Sequence, residues 1–459
     1  MKTFAIVSAL AAVGLVSASP TPTEQQKPNK RASLPTVTAS GNAFWAGKDR
    51  FYVRGIDYQP GGSSGNSDPL ADETVCKRDI AEFKKLGVNT IRVYMTDNSK
   101  NHDTCMNLLA DDGIYVILDA NNPKYSINRF SPAKSYNADY LQSVFATIDE
   151  FIKYDNTLAF FSGNEVINDM PNSTLSARYV KATTRDMRQY IANRGYRQVP
   201  VGYSAADVEQ NRMQLAQYMN CGTDDERSDF FAFNDYSWCN TDFKTSGWDV
   251  KVKNFTDYGL PIFLSEYGCI DNGRDFGEVQ ALMSSDMTGV YSGGLVYEYT
   301  YEENHFGIVQ ISGDTAKEMD GFTKYQSALS KYPAPTGAAG AASTTHSVAC
   351  PTKDSNWLVD STLLPEMPSK AKDYMKNGAG TGPGLDGPGS QDSGSDDIPD
   401  ATPGSGVATG TPTGTSSSSS TASASDNAAG PSFNGPMNKG PFVVTGVAVL
   451  FSLIGTLLL

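Results

Sequence analysis

Histidine is almost missing: the chain of 459 residues has three, His102, His305 and His346. No two of them stand in metal-ligand spacing, so a histidine-built metal centre is not expected. Basic charge is in deficit as well. With 37 Lys and Arg against 51 Asp and Glu the formal charge is −14, the wrong sign for a nucleic-acid partner. That sign says little about a neutral polysaccharide, which is gripped by stacking and hydrogen bonds. From about Gly378 to Gly440 apolar periodicity disappears and Gly, Ser, Thr and Pro take over. Such a stretch buries too little apolar surface to offset chain entropy, and reads as an extended, O-glycosylated stalk.

Both ends carry signals that set the compartment. Met1-Lys2 leads into the apolar stretch Phe4 to Val16, then Val16-Ser17-Ala18, so residues 1–18 are expected to be a removed signal peptide. A polar leader, 19–35, follows. Phe442 to Leu459 is almost wholly apolar and lies behind a polar spacer and the small trio Asn427-Ala428-Ala429. It reads as a glycosylphosphatidylinositol (GPI) signal, 428–459, with the anchor on Asn427 or alternatively Gly430. A spanning helix is the rival, since the run is just long enough. The mature protein is expected outside the cell, at the plasma membrane or in the wall. Six cysteines in a secreted chain suggest three disulfides, with fifteen pairings open by count. Asn172-Ser173-Thr174 and Asn254-Phe255-Thr256 are N-glycosylation sequons.

Residues 36–332 are the globular part, and 378–427 the expected stalk. Between them, 333–377 holds Val348, Cys350, Trp357, Leu358 and Tyr374, too apolar for stalk, and is assigned as an extension packed on the domain. Within 36–332 short apolar runs alternate with helical spacing. The strand candidates are 51–59, 90–95, 115–120, 157–166, 199–207, 230–238, 261–267 and 294–300; helical patterns lie between them, such as 74–86, 139–154, 175–193 and 276–287. Eight such units predict an α/β fold, a closed (β/α)₈ barrel. A doubly wound sheet is the alternative, but its phosphate-binding turn is missing after the first strand, where Gly55-Ile56-Asp57-Tyr58-Gln59-Pro60 stands.

Active sites of such barrels sit at the carboxyl ends of the strands. Glu165, in Ser162-Gly163-Asn164-Glu165-Val166, falls at the fourth tip, and Glu266, in Leu264-Ser265-Glu266-Tyr267-Gly268, at the seventh. Paired carboxyls across a barrel mouth are what glycoside chemistry needs: one acid to protonate the leaving oxygen, one carboxylate to capture the anomeric carbon, about 5 Å apart in a retaining enzyme. Asn164 is placed to bond a sugar 2-hydroxyl, and Tyr236 to donate to Glu266. Gln59, Tyr94, Asp119 and Asp207 end other strands, Arg212 follows the fifth, and Tyr297 and Tyr299 fall on the eighth. Aromatic faces stack on pyranose rings while the polar groups orient them.

The blocks Gly55 to Pro60, Asn89-Thr90-Ile91-Arg92-Val93-Tyr94, Gly163-Asn164-Glu165-Val166-Ile167-Asn168, Asn234-Asp235-Tyr236-Ser237-Trp238, Ser265-Glu266-Tyr267-Gly268-Cys269 and Val296-Tyr297-Glu298-Tyr299 resemble the fungal GPI-anchored β-1,3-glucanosyltransferases of glycoside hydrolase family 72. The resemblance covers about 36–376. It implies Glu165 as acid/base, Glu266 as nucleophile, and Tyr94, Asn164, Asp207, Arg212 and Tyr297, with Asp119 and Tyr236, as glucan-binding positions. Donor and acceptor β-1,3-glucan chains are then the partners, and no cofactor, metal or nucleotide sugar is implied. A monomer is expected. Some members carry a cysteine-rich binding module, and beyond Cys269 only Cys350 remains here, so the chain resembles the shorter subgroup. The pairing that agrees with the family is Cys76–Cys105, Cys239–Cys269 and Cys221–Cys350; the first joins consecutive helical segments, the second follows strands six and seven, and the third is what remains. A secreted endo-β-1,3-glucanase shares the same site logic, and a non-catalytic glucan-binding wall protein is the further alternative.

Overall fold

The computed structural model describes residues 34–62 and 65–391 and the backbone of 400–401. The expected signal peptide, most of the leader, the region beyond Gln391 apart from the backbone of 400–401, and the anchor position Asn427 lie outside the described residues.

Three short antiparallel strands open the domain: β1 (Val37–Ser40), β2 (Ala43–Ala46) and β3 (Asp49–Phe51). Eight parallel strands follow in chain order around a closed barrel, β4 (Val53–Tyr58), β5 (Thr90–Val93), β6 (Tyr115–Asp119), β7 (Thr157–Asn164), β8 (Val201–Ala206), β9 (Phe230–Asp235), β10 (Ile262–Tyr267) and β11 (Tyr291–Val296), with β11 returning to pair β4. The helices are α1 (Glu73–Leu86), α2 (Asp103–Asp111), α3 (Pro132–Ser135), α4 (Ala138–Phe151), α5 (Ala177–Asn193), α6 (Arg212–Asn220), α7 (Trp248–Phe255), α8 (Glu278–Leu282), α9 (Asp320–Lys331) and α10 (Ser369–Asn377). Local sequence explains them. In α1, Asp72 caps the first turn by accepting from the Thr74 and Val75 amides, Gly87 ends it in the left-handed region, and Cys76, Ile80, Phe83 and Leu86 form the buried face.

Two cores result. One fills the space between strands and helices; the other fills the barrel with Phe161, Phe230, Phe263 and Leu295. Phe44 of β2 closes the barrel floor, its ring 5.8 Å from both Phe230 and Phe263. With the amino-terminal end of the strands plugged, the carboxyl-terminal end is the one left for chemistry.

The structure departs from the sequence expectation at the eighth strand, which runs Tyr291–Val296 rather than 294–300. Its Ser292-Gly293-Gly294 segment carries no strand propensity, so the pattern is legible only from Leu295 onward. The helix expected over 276–287 is confined to Glu278–Leu282, and the Ser284 hydroxyl, donating to Ala281 O at 2.7 Å, offers the backbone an alternative to continuing it. All three disulfides form as expected, Cys76–Cys105, Cys221–Cys350 and Cys239–Cys269. The sequon residues Asn172 and Asn254 are both exposed.

The extension packs on the domain. Trp357 is fully buried with its ring 5.4 Å from Tyr218, and the Tyr374 hydroxyl of α10 donates to Gln142 of α4 at 3.3 Å. Packing continues past the compositional boundary at Asn377. The Ala379 amide donates to Tyr190 Oη at 2.9 Å, Lys124 Nζ to Leu385 O at 2.7 Å, and Gln391 Nε2 to Pro123 O at 2.7 Å. Residues 378–391 therefore form a strap over the loop that leads from β6 to α4. A chain ending at Asn377 should melt several degrees below one ending at Gln391, and one ending at Tyr332, which also loses Cys350 and Trp357, lower still. Equal melting temperatures for the first two would show that the strap contributes nothing.

Candidate active site

The carboxyl-terminal face gathers most of the expected residues. Glu165 follows β7 directly in a left-handed backbone conformation, φ 47°. Its amide donates to Ser204 O of β8 at 2.9 Å, and its carbonyl accepts from Arg129. These two contacts hold a conformation that costs a non-glycine residue energy, and they turn the side chain into the barrel mouth. There Asn234 Nδ2 donates to Glu165 Oε1 at 2.9 Å. Beneath the carboxyl, Ser204 Oγ, Ser265 Oγ, Asn234 and Asn164 form one cluster: Ser204 Oγ lies 2.7 Å from Asn164 Oδ1 and Ser265 Oγ lies 2.8 Å from Asn234 Oδ1. With Asn164 Oδ1 so engaged, its Nδ2 is the group left to donate.

Glu266 is held differently. Tyr94 Oη donates to Oε1 at 2.8 Å, Tyr236 Oη to Oε2 at 2.7 Å, and Arg92 Nη1 to Oε1 at 3.2 Å. Arg92 has no exposure, and its Nε and Nη2 bond Asp119 at 2.9 and 3.2 Å. Burial pushes the Glu165 carboxyl up to about 8, with Glu266 adding to the rise. Burial also raises Glu266, but Arg92 and the Tyr236 and Tyr94 hydroxyls pull against it. Of the two, Glu266 ionises first and Glu165 keeps its proton at neutral pH. An acid and a carboxylate facing one cleft is the division of labour that glycoside chemistry uses.

Tyr94, Tyr236 and Tyr297 surround Glu266, with Tyr297 6.4 Å from the Tyr94 ring and 6.3 Å from that of Tyr236. Tyr297 lies just beyond β11, at a cis peptide bond to Glu298. Gln59 is half-buried past the tip of β4. Asp207 and Arg212 pair with each other, and Lys251 Nζ binds Asp207 at 2.6 Å and Asp235 at 2.5 Å.

Two expectations change. Asp119 is 3 % exposed with both oxygens on Arg92, so it reaches a ligand only through that guanidinium. Tyr299 turns to the other core, donating to Asp79 Oδ1 at 2.9 Å. Residues that sequence reasoning missed are Arg92, Arg129, Ser204, Asn234 as a ligand of Glu165, Asp235 and Lys251. For Arg92 the signal was present, a charge inside the apolar run Thr90-Ile91-Arg92-Val93.

The glucanosyltransferase family of glycoside hydrolases, family 72, matches residues 26–333. The 1,3-beta-glucanosyltransferase gel1 of Aspergillus fumigatus is 60% identical over 389 residues, covering 84% of this chain and 85% of its own. The 1,3-beta-glucanosyltransferase GAS5 of Saccharomyces cerevisiae is 50% identical over 363 residues, covering 78% and 75%. Among solved structures, a Saccharomyces cerevisiae Gas2p mutant in complex with laminaritetraose and laminaripentaose superposes with a TM-score of 0.68 at 36% identity, covering 74% of this chain and 76% of that one.

The Glu165 carboxyl should titrate at about pH 8 in a carbon-13 NMR titration of glutamate-labelled protein, assigned by difference against Glu165→Gln. Asn234→Ala removes a hydrogen bond that favours the carboxylate, and so should move that titration to higher pH. A Glu165 signal titrating near the ordinary value of about 4.3 would contradict the buried-acid assignment.

Proposed function

The chain belongs to the glucanosyltransferase family 72 of glycoside hydrolases, matched over residues 26–333, and on that premise we propose that Glu165 and Glu266 carry out a retaining β-1,3-glucanosyl transfer. The observation that carries the assignment is the opposite treatment of the two glutamates. Glu266 is bonded by one guanidinium and two tyrosine hydroxyls, whereas Glu165 receives a single amide donor.

In the first step a Glu266 oxygen attacks the anomeric carbon of a β-1,3-glucan, and Glu165 gives its proton to the departing glycosidic oxygen. The carbon–oxygen bond to the leaving chain breaks as the bond to Glu266 forms, inverting the centre. In the second step Glu165, now ionised, takes the proton from the 3-hydroxyl of an incoming glucan end. That oxygen displaces Glu266, a β-1,3 bond is remade, and the acceptor chain is lengthened. Asn164 Nδ2 is placed for the 2-hydroxyl, where a hydrogen bond tightens as the ring distorts. Tyr94, Tyr236 and Tyr297 supply ring faces beside the anomeric carbon. Water at the second step would give hydrolysis instead; a glucan chain held along the mouth outcompetes it through orientation and local concentration.

Incubation with a reduced laminari-oligosaccharide should yield products both shorter and longer than the donor. Glu165→Gln and Glu266→Gln should each lose at least about a thousandfold in turnover while keeping the wild-type circular dichroism. Products that are only shorter would identify a plain endo-glucanase, and a glutamine variant with near-normal turnover would remove that glutamate from the mechanism.

The proposed enzyme acts as a monomer and, as its family resemblance implies, without metal or nucleotide sugar. It is secreted, glycosylated at Asn172 and Asn254, and held to the outer membrane leaflet or passed to the wall through a lipid on Asn427. Support comes from the apolar segments 4–16 and 442–459 and from the small residues beside them. Phosphatidylinositol-specific phospholipase should release active enzyme from intact cell membranes. Enzyme that stays membrane-bound and retains Leu459 would instead be held by a spanning helix.

A further inference from the structure

The connection from β6 to α4, residues 120–137, is long for a barrel loop and holds only the single turn of α3. It carries Arg129, whose Nε donates to Val166 O at 3.1 Å and whose Nη2 donates to the Glu165 carbonyl. Glu165 stands in the left-handed region at φ 47°, a conformation that persists in a non-glycine residue only while its surroundings hold it. The placing of Glu165 therefore depends on what fixes the loop.

The strap, 378–391, supplies much of that hold. Lys124 Nζ donates to Leu385 O at 2.7 Å, the Ser390 amide to Lys124 O at 3.0 Å, the Gly389 amide to Tyr125 Oη at 3.2 Å, and Asn137 Nδ2 to Ser390 O at 2.6 Å. At the end of the strap one side chain gathers three points of the loop. Gln391 Nε2 donates to Pro123 O at 2.7 Å and to Ser126 Oγ at 2.8 Å, and Gln391 Oε1 accepts from Asn128 Nδ2 at 3.2 Å. With its N–H groups and its oxygen all engaged, the amide has one orientation. Asn128 passes the constraint on: its Oδ1 accepts from the Phe130 amide at 3.0 Å and its own amide donates to Ser135 Oγ at 2.8 Å, so Arg129 lies between two fixed neighbours. The family match ends at residue 333, and Gln391 lies well beyond it.

We propose that Gln391 is a positioning residue for the transfer: through Asn128 it sets where Arg129 stands, and through Arg129 it holds the backbone of Glu165, on the reading above that Glu165 is the acid/base. Such a role differs from plain support of the fold in two ways. A displaced Arg129 lets Glu165 move out of line with the glycosidic oxygen, which slows both proton transfers and costs transfer more than hydrolysis, since an acceptor hydroxyl must be oriented. It also withdraws a cation from the carboxyl. Burial and Glu266 push the Glu165 carboxyl up, Asn234, Arg92 and Arg129 pull it down, and the neighbouring Tyr203 phenol is kept neutral by burial. Loosening Arg129 thus moves the Glu165 titration to higher pH, and the alkaline limb of kcat/KM, which reports the protonated acid, moves with it.

Full-length Gln391→Ala, and Gln391→Met, which keeps the volume and loses the three bonds, test this beside Gln142→Ala. The last cuts the strap at Ala379 O, bonded at 3.1 Å, and leaves the loop untouched. On a reduced laminari-oligosaccharide both Gln391 variants should lose about tenfold in kcat with KM within about twofold, and give a smaller share of products longer than the donor. Their alkaline limb and the carbon-13 signal of Glu165 should both titrate at higher pH than in the wild type. Gln142→Ala should lower the melting temperature without any of these changes. In an Arg129→Ala background Gln391→Ala should cost no further kcat, because both substitutions act on one element. Wild-type kcat, product sizes and Glu165 titration in both Gln391 variants would overturn the inference, as would a kcat loss that Gln142→Ala reproduces at equal melting temperature. Turnover retained by Glu165→Gln would instead refute the acid/base reading, and the carbon-13 titration alone would then decide whether Gln391 holds that residue.

Discussion

A guanidinium without access to water governs this active site. Arg92 projects from the second barrel strand into the mouth with no exposure and is bonded by Asp119 and Glu266. An unpaired charge there would be prohibitive, and breaking one buried pair typically costs roughly 3–5 kcal/mol. The fold therefore requires anions around Arg92, and Glu266 is one of them. Its ionised state is part of what keeps the barrel together rather than a property added for chemistry. One cation does not neutralise every acid in reach. Asp57, in register with Arg92 on the neighbouring strand, and Glu165 across the mouth are both pushed up by burial, and Glu266 adds to each rise. Glu165, the proposed acid/base, is thus left holding its proton by the same charge distribution that fixes Glu266, the proposed nucleophile.

Position is controlled separately from charge. The backbone at Glu165 is set by the Ser204 carbonyl and by Arg129, and its carboxyl by Asn234, which shares a cluster with Ser204, Ser265 and Asn164. All but Arg129 stand on, or directly after, barrel strands, whose hydrogen-bonded register leaves little freedom. Arg129 comes from the loop that follows β6, and that loop is fastened by the strap. A chain of contacts therefore runs from Gln391 through Asn128 to the residue beside Arg129. Transfer demands such rigidity more than hydrolysis does, because an acceptor hydroxyl must be oriented where water needs no placing.

Much of this was legible from residue order. Strand tips were visible because parallel strands buried on both faces give continuous apolar runs that stop where polar function begins, which is why Glu165 and Glu266 stood out. The sequence was less informative where residues act through one another. Asp119 at a tip looks like a ligand contact until Arg92 is seen to occupy both its oxygens. Tyr299 has the right spacing, but the chain turns after Val296 and delivers it to the outer core against Tyr58 and Phe83. The β1–β3 meander was not expected at all, since its strands are four residues or fewer and too short for periodicity to register.

The strap shows why composition misled most where it was least ambiguous. Residues 378–391 are dominated by glycine and proline, a makeup that ordinarily marks slack chain. Here glycine serves close approach instead. A side chain at Gly382 would collide with Asn98, and one at Gly387 with the Tyr125 hydroxyl, so the strap seats only because those positions carry no Cβ. It buries the apolar side chains of Ala379 and Leu385, but much of its attachment is through backbone groups bonded to Asn98, Tyr125 and Tyr190, and hydropathy cannot register such bonds. A Gly-rich segment that looks entropic in sequence becomes ordered once a folded surface offers donors and acceptors at backbone distance, and in this enzyme that surface includes the loop whose Arg129 holds the Glu165 carbonyl.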